Sequence, residues 1–129
     1  SAGLADLATS QSEIKAALEA DSSIDAVFTL NADIAAGAAL PAITELGKDV
    51  MIGTVDLSGD AVQAIVDGKI AFAIDQQQYA QGYMSVVLLY LDLMNGHELG
   101  GGLPIYTGPG FVTKDNAARV QALAAAGTR

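Results

Sequence analysis

An alternation of short apolar runs with helical segments is the feature that most constrains the fold of this chain. The apolar runs, rich in strand-forming residues, occupy residues 24–30, 50–55 and 70–74. Helical periodicity occupies residues 11–20, 32–46, 59–66 and 77–95. Strands that are apolar throughout and separated by helices are typical of a parallel sheet, because a parallel connection must return along one face of the sheet. The pattern therefore predicts an α/β fold, a parallel sheet with flanking helices in a Rossmann-like lobe.

Capping residues set the predicted helix boundaries. Ser10 or Ser12 is predicted to cap the first helix and Ser58 the third, since a hydroxyl can accept from a free amide of the first turn. Gly47 is predicted to end the second helix, where a left-handed residue is favoured. Pro41 inside that helix predicts either a kink or a restart.

The sequence beyond the fourth helix predicts shorter elements. A glycine-rich turn at residues 100–102 leads to a short extended piece at residues 103–106, and residues 107–111 are predicted to form a turn. A final helix over residues 118–126 is predicted to begin at Asp115 or Asn116.

Composition excludes several classes of function. The chain has 129 residues, enough for one domain with a real core, and 51% of them are hydrophobic. Its formal net charge is −9, and its six basic residues are scattered singly, so neither nucleic acid nor an anionic membrane surface is a predicted partner. There are no cysteines, which excludes disulfides and thiolate metal sites.

The sequence also lacks the signals of membrane insertion and export. Its longest apolar block, residues 86–91, is far shorter than the roughly 20 residues that span a bilayer. Residues 1–10 have neither a basic nor an apolar signal region, but a mature exported protein would have lost its signal peptide, so this does not favour the cytosol.

Catalysis has little support in the sequence. The single histidine, His97, follows a helix and is interpreted as a solvated loop residue. We find no metal-ligand cluster, no nucleophile elbow and no Cys/His pair. The strand-to-helix turns carry neither GxGxxG nor a Walker lysine, so no phosphate-bearing cofactor is expected. The prediction is a protein that is not an enzyme, with no catalytic residue, cofactor or metal.

Polar residues follow each of the three strands at the point where it ends. Asn31 follows the first strand, Asp56 the second, and Asp75 and Gln76 the third. Ligands of open parallel sheets bind beyond the carboxyl ends of the strands, so these side chains are predicted to share one crevice. The amides can donate and accept hydrogen bonds and the carboxylate can accept them. Such a mixed set suits a neutral, polyhydroxylated molecule, because each hydroxyl both donates and accepts.

Helix capping is the competing interpretation of the same residues. Asn31, Asp56 and Asp75 could each satisfy free amides at a helix start, at about 1 kcal/mol apiece. Asp75 with Gln78 three residues later also resembles a capping box. We interpret Asp75 as a cap and Gln76 as the residue facing the crevice, while both interpretations stay open for Asn31 and Asp56.

Three phrases of the sequence resemble a known family. The phrases are AVFTLNADIAAGA, GTVDLSGDAVQAIVDGKIAFAIDQQQYAQGY and LPIYTGPGFVTKDNA. Across residues 11–116 they are similar to the C-terminal part of type I periplasmic sugar-binding proteins of ABC importers, relatives of ribose-binding protein. The resemblance implies two α/β lobes joined by three hinge strands, non-catalytic sugar binding, a periplasmic or other extracytoplasmic location, and an ABC permease as partner.

The same fold also occurs in effector domains of LacI-type sugar-responsive transcription repressors, which is the alternative function. A repressor needs a basic helix-turn-helix, which this sequence does not contain.

The resemblance assigns roles to individual residues. It implies that Asn31, Asp56 and Gln76 contact the sugar, that Asp75 caps, and that Gln77 and Gln78 face solvent or the hinge. Many relatives carry an aspartate directly after the asparagine, where this chain has Ala32 followed by Asp33.

The resemblance also divides the chain. Residues 1–74 are expected to be part of the C-terminal lobe, and residues 75–129 the hinge with a helix, strand and tail that belong largely to the N-terminal lobe, although the two parts could pack as one unit. A complete relative is about twice this length, as two domains require. The helix at residues 77–95 is therefore expected to expose its apolar stripe, and a homodimer or an exchange of elements between copies is predicted to cover it.

Overall fold

A computed structural model describes residues 6–129 of the chain. The helices are α1 (Leu7–Ala20), α2 (Ala32–Ile34), α3 (Leu40–Leu46), α4 (Gly59–Val66), α5 (Gln78–Asn95) and α6 (Ala117–Ala125). The strands are β1 (Ala26–Thr29), β2 (Met51–Val55), β3 (Phe72–Asp75) and β4 (Gly110–Thr113). A π-helical turn, Ala35–Ala39, joins α2 to α3, and a 3₁₀ turn occupies Gly100–Gly102.

The four strands form one sheet in the order β1-β2-β3-β4. The first three strands are parallel, as the alternating pattern predicted, with Thr29 opposite Thr54 and Val55 opposite Ile74. This confirms the α/β fold with a mostly parallel sheet and flanking helices.

The fourth strand corrects two predictions. β4 pairs antiparallel with β3, with Phe111 opposite Ile74, so the sheet is not wholly parallel. It also lies at Gly110–Thr113, where the sequence predicted the end of a turn, whereas the extended piece predicted at residues 103–106 forms no strand. Pairing with β3 supplies the backbone partners that local turn signals could not reveal.

Helix boundaries follow the predicted caps with one exception. Ser58 caps α4 by accepting from the Ala61 amide, and Gly47 ends α3 with φ of 61°. Pro41 does not restart the helix, because the backbone at Ile34, Ala39 and Leu40 is right-handed helical throughout. The proline stands in the first turn of α3, after the π-helical turn. The prediction of Ser10 or Ser12 as first cap is wrong, because α1 begins earlier, at Leu7, and its cap is Asp6.

One face of the sheet carries the core. Buried side chains of α1, α3, α4 and α6 pack with those of the three sheet positions Ile52, Ala73 and Val112. α6 packs against α4, so the last helix of the chain belongs to the same helical layer. This helical layer and the sheet are called the body. On the surface of that layer, Lys15 of α1 donates to Glu45 of α3 at 2.9 Å.

The opposite face of the sheet is not covered by a helix of the described chain, although its strands are apolar on both faces. Phe28, Phe72 and Phe111 form a row across it, with ring centroids 6.2 and 6.4 Å apart. Gly53 lies beneath this row, and a Cβ there would stand 2.7 Å from the Phe72 ring. Phe28 and Phe111 remain about half exposed.

α5 differs from every other long helix of the described chain, because it buries none of its residues. Its apolar stripe, predicted from helical spacing, includes Tyr79, Tyr83, Val86, Tyr90 and Leu93, all of them exposed. The Tyr79 and Tyr83 rings stack at 6.3 Å along the helix. Within residues 6–129, the apolar stripe of α5 is therefore not packed into a hydrophobic core.

Candidate functional site

The strand register aligns three of the predicted site positions. Thr29 pairs with Thr54, so Asn31 and Asp56 each lie two residues beyond this pair. Val55 pairs with Ile74, which places Asp56 beside Asp75 at the end of β3. The buried Thr29 and Thr54 hydroxyls are hydrogen-bonded at 2.7 Å, and this bond ties the two strand ends together.

Asn31 caps the helix that follows it. Its Oδ1 accepts from the amides of Asp33 at 2.9 Å and Ile34 at 3.2 Å. The capping interpretation left open for Asn31 is therefore confirmed. Within residues 6–129 the Asn31 side-chain nitrogen has no hydrogen-bond partner, so it remains a donor at the edge of the sheet.

Asp56 is not a helix cap. Its φ is 70°, an uncommon value for a residue with a side chain, and its backbone N–H donates to Ile74 O at 2.8 Å. Its carboxylate instead accepts, at Oδ1, from the Gln76 side-chain nitrogen at 2.9 Å. The structure thus brings two of the three predicted site residues into direct contact.

Gln78 is the residue that the sequence interpretation missed. Its side-chain nitrogen donates to the same Asp56 oxygen, so the predicted capping box with Asp75 is wrong. Gln76 and Gln78 both reach Asp56 because Gln77, between them, has a left-handed backbone with φ of 57° that ends β3 and starts α5. No sequence signal marked this contact, because a positive φ at a glutamine such as Gln77 is not evident from the sequence.

Asp75 is fully buried and has two partners. Its Oδ1 accepts from the Gln77 amide at 2.8 Å, which stabilises the junction between β3 and α5. Its Oδ2 accepts from Arg129 Nε at 2.8 Å, so one of the basic residues that look isolated in sequence neutralises this carboxylate. The prediction that Asp75 is a helix cap is wrong, because the N-cap of α5 is Gln77 and no side chain of the described residues caps this helix. Asp75 is a buried structural residue, and Gln76 is the exposed one.

Two segments fix the backbone of Gln76. Its carbonyl oxygen accepts from Thr107 Oγ1 at 3.0 Å and from the Gln81 side-chain nitrogen at 2.9 Å. These bonds connect the end of β3 to α5 and to the loop before β4. The Gln76 side chain is left exposed beside Asp56.

A groove of about 470 Å³ lies between α5 and the loop before β4. Gln76 lies at its edge, and the rest of its lining comes from α5 and the loop before β4, including Met84, Leu88 and Tyr106. Asn31 and Asp56 do not line this groove. The three predicted site residues lie at the carboxyl ends of β1, β2 and β3 and are called the ledge.

Asp33, the residue one place after Ala32, lies elsewhere. Its exposed side chain borders a separate groove that Asp60 and Gln63 also line, between the helices on the covered side of the sheet. Among residues 6–129 no three acidic or histidine side chains are grouped to hold a metal ion. Within the same residues, every helix is too short or too polar to cross a bilayer.

The comparisons with known proteins identify the family. The family profile described as "Periplasmic binding protein domain" matches residues 2–98, about three quarters of the chain. The chain therefore belongs to the periplasmic binding protein family, as the three sequence phrases predicted.

Solved structures and a curated relative are similar to it. A carbohydrate transporter protein from Acidothermus cellulolyticus 11B, in complex with myo-inositol, is 42% identical, with a TM-score of 0.88 over 97% of this chain and 43% of that chain. AraP, an arabinose binding protein from Geobacillus stearothermophilus, is 26% identical, with a TM-score of 0.72 over 88% of this chain and 41% of that chain. The xylose/arabinose-binding protein XylF of Sulfolobus acidocaldarius is 40% identical over 70 residues.

This chain spans only part of these proteins. The 70 residues aligned with XylF are 54% of this chain and 17% of the XylF chain. It covers less than half of each of the two solved structures.

Proposed function

We propose that this chain contributes to binding a small neutral sugar or polyol in a solute-binding protein for ABC-type carbohydrate uptake. The observation that carries the proposal is the ledge of Asn31, Asp56 and Gln76 at the carboxyl ends of three adjacent parallel strands. A free amide donor, a carboxylate and a second amide can together receive and give hydrogen bonds to several hydroxyl groups. The absence of a cationic side chain on this ledge favours a neutral guest over a phosphate.

Similar proteins support the ligand class. The solved relative that is 42% identical holds myo-inositol, and the curated relative is named for xylose and arabinose. All three ligands are uncharged molecules that carry several hydroxyl groups. Binding without catalysis is the matching proposal for the activity.

The family supports the proposed partner and location. Relatives of this family are extracytoplasmic binding proteins, and two of the solved structures are described as components of ABC transporters. We therefore propose an ABC permease as the partner of the full-length protein and an extracytoplasmic location. The division into residues 1–74 and 75–129, with the second part contributing to the other lobe, stays a proposal.

A thermal-shift screen of the full-length protein tests the binding function. Pentoses, hexoses and polyols are added one at a time, and a ligand at about 100 times its Kd should stabilise the protein by about 2.7 kcal/mol. Asp56→Ala and Gln76→Ala should each abolish the response. Gln63→Ala is the matched control, because the Gln63 amide also donates to a carboxylate, that of Asp67, at 2.8 Å, away from the ledge.

Ligand stabilisation that survives both Asp56→Ala and Gln76→Ala would contradict the assigned site. A folded wild-type protein that responds to none of the compounds would contradict the function itself.

We further propose that a second copy covers the apolar stripe of α5 when this chain is expressed alone. A compact chain of this mass exposes about 6,400 Å² of surface, whereas this one exposes 7872 Å². The excess of about 1,500 Å² matches the contribution of one partner to a stable homodimer, which is about 1,000 Å² or more. Covering this stripe would remove exposed Tyr83, Val86 and Leu93 from water.

Size-exclusion chromatography with light scattering tests the assembly. We expect a dimer at high concentration, and Leu93→Glu should give a monomer because it places a charge in the stripe. Leu30→Glu is the control, since Leu30 is equally exposed but lies outside α5, and it should remain dimeric. A wild-type chain that stays monomeric at high concentration would contradict this proposal.

A further inference from the structure

The Asp56 carboxylate is held asymmetrically. Two side-chain amides, those of Gln76 and Gln78, donate to the same oxygen, Oδ1. Within the described residues 6–129, Oδ2 accepts no hydrogen bond from the protein. Because one oxygen is occupied by two donors and the other by none, the carboxylate has a defined orientation with Oδ2 as its free acceptor.

The backbone on both sides of this contact is fixed. Asp56 is held in a left-handed conformation, with its N–H bonded to the end of β3. Gln77, also left-handed, is bound through its amide by the buried Asp75. Such conformations are unfavourable for residues with a side chain and persist where neighbouring bonds determine them. Gln78 is thereby presented to Asp56 at the first residue of α5.

We propose that Gln78 is a positioning residue for ligand binding, which fixes the Asp56 carboxylate so that Oδ2 receives a ligand hydroxyl. The inference rests on the proposed sugar-binding function and adds a residue to it. Gln78 acts through Asp56 and does not itself contact the ligand. Its contribution is to order the carboxylate before binding, which lowers the entropic cost of association.

A second consequence concerns ligand selection. A carboxylate with two free oxygens can accept from two neighbouring hydroxyl groups of a sugar at once. Since two glutamines occupy Oδ1, Asp56 accepts from one ligand hydroxyl through Oδ2. When the Gln78 donor is removed, Gln76 still donates to Oδ1, so Oδ2 remains the acceptor for the ligand. Every ligand that uses Oδ2 should then be weakened to the same extent, and the order of preference should stay unchanged.

Isothermal titration calorimetry of the full-length protein with myo-inositol, D-xylose and L-arabinose tests the proposal. Gln78→Met keeps the length and helix propensity of the side chain but removes the donor, and should raise Kd about tenfold for each ligand that binds, equivalent to one hydrogen bond to a charged group. Gln78→Lys restores a donor of sufficient reach and should recover most of the affinity. Gln63→Met, at the comparable amide–carboxylate pair on α4, should leave Kd unchanged.

The outcomes separate this inference from the function on which it rests. An unchanged Kd in Gln78→Met would overturn the positioning role, and so would a changed order among the three ligands, because that result would mean direct contact with the sugar. A Gln78→Lys variant as weak as Gln78→Met, at equal unfolding temperature, would also overturn it. A folded wild-type protein that binds none of the three probes, nor any compound of the thermal-shift screen, would overturn the sugar-binding function and this inference with it.

Discussion

Helices α4 and α5 show how differently two parts of this chain are stabilised. α4 has eight residues and buries four of them, Ala61, Val62, Ala64 and Ile65. α5 has 18 residues and buries none. Both have an apolar stripe at helical spacing, so the stripe alone does not tell whether a helix belongs to the core of this chain.

The folding free energy resides in the core beneath α4 and not in α5. Most helical stability in proteins comes from packing of the apolar face and not from intrinsic propensity. The helical layer on the covered face of the sheet supplies that packing for α4, whereas α5 lies outside it. We therefore expect the free energy of unfolding to depend strongly on residues of the body and weakly on residues of α5.

The largest expected effect comes from paired truncations in the two helices. Ile65→Ala removes a fully buried side chain of α4 and should lower the free energy of unfolding by about 2–5 kcal/mol. Leu93→Ala removes an exposed side chain of α5 and should change it by less than about 0.5 kcal/mol in the monomer. Urea denaturation of the chain at low concentration measures both. Equal losses from the two variants would show that α5 is part of the cooperative core.

A smaller effect on the free energy of unfolding is expected from Arg129, which pairs with Asp75 at the junction between β3 and α5. Arg129→Gln leaves the fully buried Asp75 carboxylate without its cation and should cost about 2 kcal/mol, below the roughly 3–5 kcal/mol of a wholly buried pair because Arg129 remains one-third exposed. Arg119→Gln, an exposed arginine of α6, is the matched control and should cost less than about 0.5 kcal/mol. If the two arginine variants unfold at the same urea concentration, the Asp75–Arg129 pair does not stabilise the junction.

The smallest expected effect concerns an exposed ion pair of the body. The Lys15 ammonium, which donates to Glu45, holds the pKa of Glu45 below its usual value, and the same contact raises the pKa of Lys15. Because the folded-state pKa of Glu45 is lowered, its stabilising effect is present above the unfolded pKa and is lost as the pH falls through the folded pKa. The raised pKa of Lys15 gives stabilisation that is lost only at strongly alkaline pH.

Glu45→Gln tests how the ionisation of Glu45 makes the free energy of unfolding depend on pH. Its stability deficit relative to the wild type should be present at neutral pH and disappear as the pH is lowered through the titration range of Glu45. Because both side chains are well exposed, the deficit should also shrink at high salt. Thermal denaturation from pH 3 to pH 7 at two salt concentrations measures it, and a deficit that stays constant with pH would rule out the ion pair as its cause.

Local signals predicted the body of the fold well. Apolar runs predicted the three parallel strands, and Ser58 and Gly47 mark helix ends because a cap depends on neighbours within a few residues. β4 was not predicted, since its pairing with β3 joins segments more than 30 residues apart and its first residues lie where a turn was predicted, at residues 107–111. The partnership of Asp75 and Arg129 crosses 54 residues and leaves no local trace.

The candidate site was predicted in part for the same reason. Asn31 and Asp56 both follow a strand, yet only Asn31 directly precedes a helix and caps it. Asp56 lies two residues before Ser58, which caps α4, so its carboxylate is left to accept from Gln76. The ledge itself follows from the parallel arrangement of the three strands, which the apolar runs predicted. The second donor to Asp56, Gln78, depends on the left-handed turn at Gln77, where a glutamine gives no sequence signal for positive φ.

The hydroxyl pair formed by Thr29 and Thr54 has a consequence for selectivity. A slip of β1 by one residue against β2 would break this interior bond and turn Asn31 to the other side of the sheet. The strand register therefore fixes the separation between Asn31 and Asp56 before any ligand binds. Under the proposed sugar-binding function, this separation would match one spacing of ligand hydroxyl groups and favour the stereoisomers that present it.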